Sequence, residues 1–161
     1  MDARFDLFGN ELATKFAKRF TTAARVIEES TLPDTTKELV SLRASQINGC
    51  AFCTDMHTKE AAAAGETALR LHMVAAWREA TVFTEAERAA LAFAEEGTGL
   101  ADAHTGVSDD TWDQVRKHYD DDQVAALICL VALTNAANRM NVIVRNPGGS
   151  YEAGMLARLS G

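Results

Sequence analysis

Hydrophobic residues recur along this chain at the three-and-four spacing of amphipathic helices, and almost nowhere in the strict alternation of strands. The stretch "NELATKFAKRFTTAARVIEES" places Leu12, Phe16, Phe20, Ala23 and Ile27 on one stripe with charges opposite, which predicts a first helix ending before Pro33. A second helix begins near Thr35, runs through "KELVSLRASQ" and stops at Asn48-Gly49, residues that tolerate a left-handed helix ending. A third begins near Cys50 and continues through "TDMHTKEAAAA" to Gly65, and "ETALRLHMVAAWREA" predicts a fourth. Thr84 and Glu87 have the spacing of a capping box opening "EAERAALAFAEEGT". Ser108 starts "DDTWDQVRKHY", and Asp120-Asp121-Asp122 complements the dipole of the long helix "QVAALICLVALTNAANRMNVIVR", which stops at "NPGGS". No strand pair, long linker or internal repeat is present, so the pattern predicts one all-α domain over residues 1–161, with about seven helices.

The long helix is apolar on nearly every face until Thr134, as expected of a helix central to a bundle or buried between subunits. Asn135, Asn138 and Arg139 then either fix a register in that interface or simply cap and solvate the helix end. The apolar run "VAALICLVAL" is too short to span a bilayer, and "MDARFDLFGNEL" lacks the charged-then-apolar pattern of a signal segment. A net charge of -7 argues against the basic face that nucleic acid needs, and no basic helix is offered to anionic lipid. The expectation is a cytoplasmic protein with neither nucleic acid nor membrane as partner.

Three cysteines are an odd number, and a disulfide framework is not expected without secretion. Cys129, inside "AALICLVAL", reads as a small buried hydrophobe. Cys50 and Cys53 differ, because His57 follows them and the three fall within an arc of roughly 60° on one helix. That face continues through Ala61 and Ala64, small residues that leave room above the sulfurs. At the first turn of a helix, unsatisfied N–H groups and the positive dipole end favour a thiolate.

His57, one turn beyond Cys53, could take the thiol proton or pair with the thiolate. Two carboxylates could orient it. Glu60 lies three residues on, although it also reads as a surface charge. Glu38 lies on the preceding helix; in a hairpin about Gly49 it sits roughly 14 Å back from the turn, level with His57 rather than Cys50. Thr35 and Glu38 also have capping-box spacing, which would leave Glu38 with only a backbone N–H to accept. Zinc is the rival use of these atoms, but Cys50, Cys53 and His57 supply three ligands where a structural site takes four. The remaining candidates His72, His104, His118 and Cys129 are scattered singly. No metal or other cofactor is expected.

The pattern E-x11-C-x2-C-x3-H, realised as Glu38, Cys50, Cys53 and His57, resembles the redox motif of the AhpD-like alkylhydroperoxidases of the carboxymuconolactone decarboxylase superfamily. The likeness extends through "WREATVFTEAERAALAFAEEGT" and "LTNAANRMNVIVR", covering roughly residues 35–145. The resemblance implies an all-α fold with the dithiol at the start of a central helix, assembled into trimers or hexamers. It implies a thiol peroxidase that reduces small alkyl hydroperoxides and draws electrons from a dithiol, such as a dihydrolipoyl-bearing protein. Carried over, Cys53 is the peroxidatic thiol, Cys50 resolves it, and His57 and Glu38 relay protons; the helix-start argument instead makes Cys50 the more acidic thiol. Phe52 is a departure, since related peroxidases can carry a second histidine between the cysteines. Two alternatives stay open: a redox-sensing or disulfide-reducing adaptor without peroxide turnover, and a lyase acting on a small lactone. The lyase branch does not need a cysteine pair.

Overall fold

The structure, a computed structural model, describes residues 2–7, 9–103 and 106–156. Among them the regular elements are all helical: α1 (Glu11–Glu28), α2 (Asp34–Ile47), α3 (Ala51–Ala63), α4 (Ala68–Met73), a 3-10 turn (Val74–Ala76), α5 (Glu85–Thr98), α6 (Leu100–Ala103), α7 (Asp109–His118) and α8 (Asp121–Val144).

Five of the helix starts follow from side chains that satisfy free N–H groups of the first turn. Asn10, Thr67 and Ser108 accept from Ala13, Arg70 and Thr111, and Thr84 with Glu87 forms the expected capping box. Asp120 opens α8 in a second box with Gln123, so the acidic run starts the helix as its charge requires. The Thr35–Glu38 box does not form: α2 begins at Asp34 behind Pro33, with no side-chain cap, and Glu38 is engaged elsewhere.

The α2 helix lies between two apolar clusters. Val40 packs with Ile27, Phe93, Val115, Leu127 and Val131. Leu39 and Leu42 face the other way, into Ala61, Leu71, Trp77, Phe83 and Leu91. The helix therefore contacts α3, α5 and α8 together, and its buried Ser41 and Ser45 pair with Thr134 and Asn138 of α8. Asn48, at its C-terminal end, donates to Asn135 Oδ1 and Asn138 Oδ1, both at 2.9 Å. Asn138 donates to Ser45 at 3.1 Å, and Asn135 donates to Thr98 of α5 at 3.1 Å. The two asparagines thus set the register of α8 within the chain and neither cap nor solvate it.

Four expectations change. The fourth helix is shorter than its pattern, because Arg88 gathers the carbonyls of Trp77, Arg78 and Ala80, which satisfies a non-helical backbone. Cys129 is exposed on the outer side of α8. The stripe on α1 also faces outward: Leu12 is 79% exposed and Phe16 54%, and only Ile27 is buried. The helix containing "VAALICLVAL" runs for 24 residues, long and apolar enough to cross a membrane by length and composition, yet it packs on α1, α2, α3 and α5.

Candidate active site

The site begins where α2 ends. Gly49 takes a φ of 64°, the left-handed conformation that reverses the chain, and Cys50 is the extended residue capping α3. The Cys53 N–H points at Cys50 Sγ, 3.2 Å away, so the sulfur occupies the place of a capping oxygen. In the reduced protein this contact favours negative charge on Cys50. The two sulfurs are joined as a disulfide, with Cα atoms 5.3 Å apart, and the residues are 1% and 2% exposed.

One turn beyond Cys53, His57 Nδ1 lies 3.0 Å from Glu38 Oε2. A carboxylate can only accept, so Nδ1 donates to Glu38, and in the neutral ring Nε2 is the nitrogen with the lone pair. Glu38 is therefore level with His57, as the rise along the hairpin requires, and it makes no hydrogen bond to either cysteine among the described residues. Both side chains keep some solvent contact, at 17% for His57 and 30% for Glu38. The arrangement can hold an imidazole in one orientation and return it to that state after it gains or gives a proton.

Glu60 is neither a surface charge nor a partner of His57. It accepts from the Tyr151 hydroxyl and from the Gly154 N–H, in the segment after α8. That hydrogen bond and burial push the Tyr151 phenol up to about 12, burial contributing most. Of the two alanines that continue the cysteines' face, Ala61 is packed into the core with Leu39 and Leu42, whereas Ala64 is exposed. An open cleft of about 550 Å³ lies beside Cys50, bounded by Gln46, Gly49, Ala51, Thr54, Asp55, Gly148 and Gly149.

Sequence reasoning missed Asp55, Lys59, Gly148 and Tyr151, which bind the C-terminal segment to α3. The one available signal was a tyrosine just after "NPGGS", where a simple helix stop needs no aromatic. Phe52 belongs to this group: its ring meets Tyr151 edge to face, with centroids 6.0 Å apart. At the far end of the hairpin a second cleft, about 580 Å³, is lined by Thr36, Arg70, Glu87, His118 and Tyr119 and contains neither cysteine. No three His, Cys, Asp or Glu side chains converge to hold a metal among the described residues, and His104 lies outside them.

Comparison with known proteins gives this geometry a family. The sequence profile of the carboxymuconolactone decarboxylase family matches residues 14–96, which include Glu38, both cysteines and His57. The chain belongs to the carboxymuconolactone decarboxylase family. Uncharacterised relatives in the same range include YdfG of Bacillus subtilis, 35% identical over 140 residues, covering 87% of this chain and 94% of that protein. YnjA of Escherichia coli is 30% identical over 114 residues, covering 71% of this chain and 61% of that protein. The fold is AhpD-like: ATU0492 of Agrobacterium tumefaciens, a protein of unknown function put forward as an antioxidant defence protein AhpD, superposes with a TM-score of 0.85 at 29% identity. That superposition covers 93% of this chain and all of the other. The debrominase Bmp8 shares the fold alone, with a TM-score of 0.73 at 19% identity over 85% of this chain and 73% of its own.

Proposed function

We propose that this member of the carboxymuconolactone decarboxylase family is a thiol-dependent peroxidase that reduces small alkyl hydroperoxides through Cys50 and Cys53. The observation that carries the reading is the dithiol at the start of α3 with a carboxylate-oriented imidazole one turn away. In the first step His57 Nε2 takes the Cys53 thiol proton and the resulting thiolate attacks the terminal peroxide oxygen. The O–O bond breaks, Cys53 becomes a sulfenic acid, and the leaving alkoxide takes a proton from His57 to give the alcohol. Cys50 then attacks Cys53 Sγ and expels hydroxide, which is protonated to water as the disulfide closes. Two electrons from an external dithiol restore both thiols, and a dihydrolipoyl-bearing protein is the proposed donor. Cys53 takes the peroxidatic role because it is the thiol next to His57, while the N–H held against Cys50 Sγ keeps the resolving thiol reactive.

Consumption of an organic hydroperoxide by reduced protein, with dithiothreitol or dihydrolipoamide as donor, tests the proposal. Cys50→Ser and Cys53→Ser each abolish turnover, and continued consumption by the double variant would exclude it. A lactone lyase would survive that loss. A disulfide-reducing or redox-sensing role finds support in Phe52, which puts an apolar ring between the cysteines and packs it on Tyr151. Thiol counts that respond to oxidant without turnover under either donor would favour that role. Assembly into trimers or hexamers is part of the proposal, supported by the apolar surfaces that α1 and α8 leave outward, Phe16 and Ile143 among them. Sedimentation equilibrium reads it directly. A reducing compartment such as the cytoplasm suits a dithiol that must be regenerated.

A further inference from the structure

The segment after α8 is laid across α3 beside the dithiol. Gly148 approaches so closely that a Cβ there would stand 2.5 Å from the Ala51 carbonyl oxygen, on the peptide between the two cysteines. Asp55 Oδ2 accepts from the Gly149 N–H at 2.6 Å and the Tyr151 N–H at 3.0 Å. Lys59 Nζ donates to the carbonyls of Gly149 at 3.2 Å and Tyr151 at 2.8 Å, and pairs with Asp55 at 2.7 Å. Glu60 takes the Tyr151 hydroxyl and the Gly154 N–H, and Phe52 takes the tyrosine ring. One flank of α3 is thus committed to this short segment, while Cys53 and Ala61 are buried on another.

Building on the redox reading of Cys50 and Cys53, we infer that residues 148–154 form a strap that selects by size which thiol reaches the disulfide, with Tyr151 as its positioning residue. The open cleft touches Cys50 and not Cys53, and the strap residues Gly148 and Gly149 form one of its walls. An incoming thiolate therefore attacks Cys50 Sγ, forming a mixed disulfide and releasing Cys53 as a thiolate. A second thiol attacks the mixed disulfide on the incoming sulfur and releases Cys50. The two entering thiols leave as one disulfide, and their two protons end on Cys50 and Cys53. A small thiol enters beside the strap, whereas a larger one needs the strap lifted, and lifting breaks the contacts to Asp55, Lys59 and Glu60.

The test reduces the oxidised full-length protein with two neutral thiols, 2-mercaptoethanol and a capped pentapeptide with cysteine at its centre. Disulfide loss is followed by alkylation and mass. Gly148→Ala forces the strap away from Ala51, and Tyr151→Phe keeps the ring on Phe52 but removes the bond to Glu60. Losing a hydrogen bond to a charged group shifts an opening equilibrium by about tenfold or more. Both variants are expected to speed the pentapeptide reaction by about that factor and the 2-mercaptoethanol reaction by less than about twofold. If Gly148→Ala does not fold, Tyr151→Phe decides alone. An unchanged ratio of the two rates overturns the inference, and so does equal acceleration of both thiols, which marks a strap that only holds the fold. The assay contains no peroxide, so loss of the peroxidase reading leaves it intact.

Discussion

Replacing Glu38 by Gln keeps the shape of the relay and removes its charge. In the wild-type site the carboxylate accepts from His57 Nδ1 at 3.0 Å, on a face where the two side chains are only partly in water. A hydrogen bond to a charged group contributes about 1.5–3 kcal/mol, which corresponds to roughly 10- to 150-fold in rate if it is felt mainly when His57 is charged. Solvent contact at Glu38 argues for the lower half of that range. Removing the imidazole altogether, as in His57→Ala, removes the acid itself and is expected to cost about 10²–10⁴-fold. Steady-state consumption of cumene hydroperoxide with saturating dithiothreitol measures both variants. The expected order is wild type, then Glu38→Gln about 10- to 50-fold slower, then His57→Ala slower still. Because neither residue bonds to the disulfide, reduction of the oxidised protein by dithiothreitol should change little in Glu38→Gln. Wild-type turnover in Glu38→Gln, or a loss equally large in the peroxide and reduction half-reactions, would refute the relay.

The remaining expectations concern stability and the third cysteine. Asn138→Ala removes a fully buried link between Asn48 and Ser45, and urea denaturation should show a loss of about 1–3 kcal/mol. The Glu87 and Glu95 carboxyls are partly buried, which raises them, but hydrogen bonds from Arg70 to Glu87 and from Trp77, Arg43 and Arg78 to Glu95 outweigh this and hold both below the ordinary 4.5. Their folded values are depressed, so their stabilisation is present above that value and lost as pH falls through the lower folded one; the urea midpoint should hold level above about pH 5 and drop below about pH 4. Cys129→Ser, on the outer side of α8, should leave peroxide turnover within about twofold of wild type in the same assay.

The helices and the dithiol were legible in the sequence because local chemistry decides them. Capping residues at Thr84, Ser108 and Asp120 fix their helix starts wherever the chain goes next. Gly49 permits the reversal, and the hairpin then brings Glu38 level with His57 by helical rise alone. What stayed hidden depends on contacts across the fold. Which side of α8 faces outward could not be read from a helix apolar all round, and Cys129 fell on the exposed side. The C-terminal strap has no periodicity, and its anchors Asp55, Lys59 and Glu60 look like ordinary surface charges until their backbone partners are in place. The same holds for Asn135 and Asn138, whose spacing fits a helix end as well as a buried register.

The central claim is that peroxide oxidises Cys50 and Cys53 together. The most direct measurement is a free-thiol count on fully reduced protein after one equivalent of cumene hydroperoxide, with the alcohol product measured alongside. The protein has three cysteines. Two thiols are expected to be lost and one equivalent of alcohol to appear, with the surviving thiol mapping to Cys129. Three thiols remaining after exposure, or alcohol formed while Cys50 and Cys53 stay reduced, would contradict it.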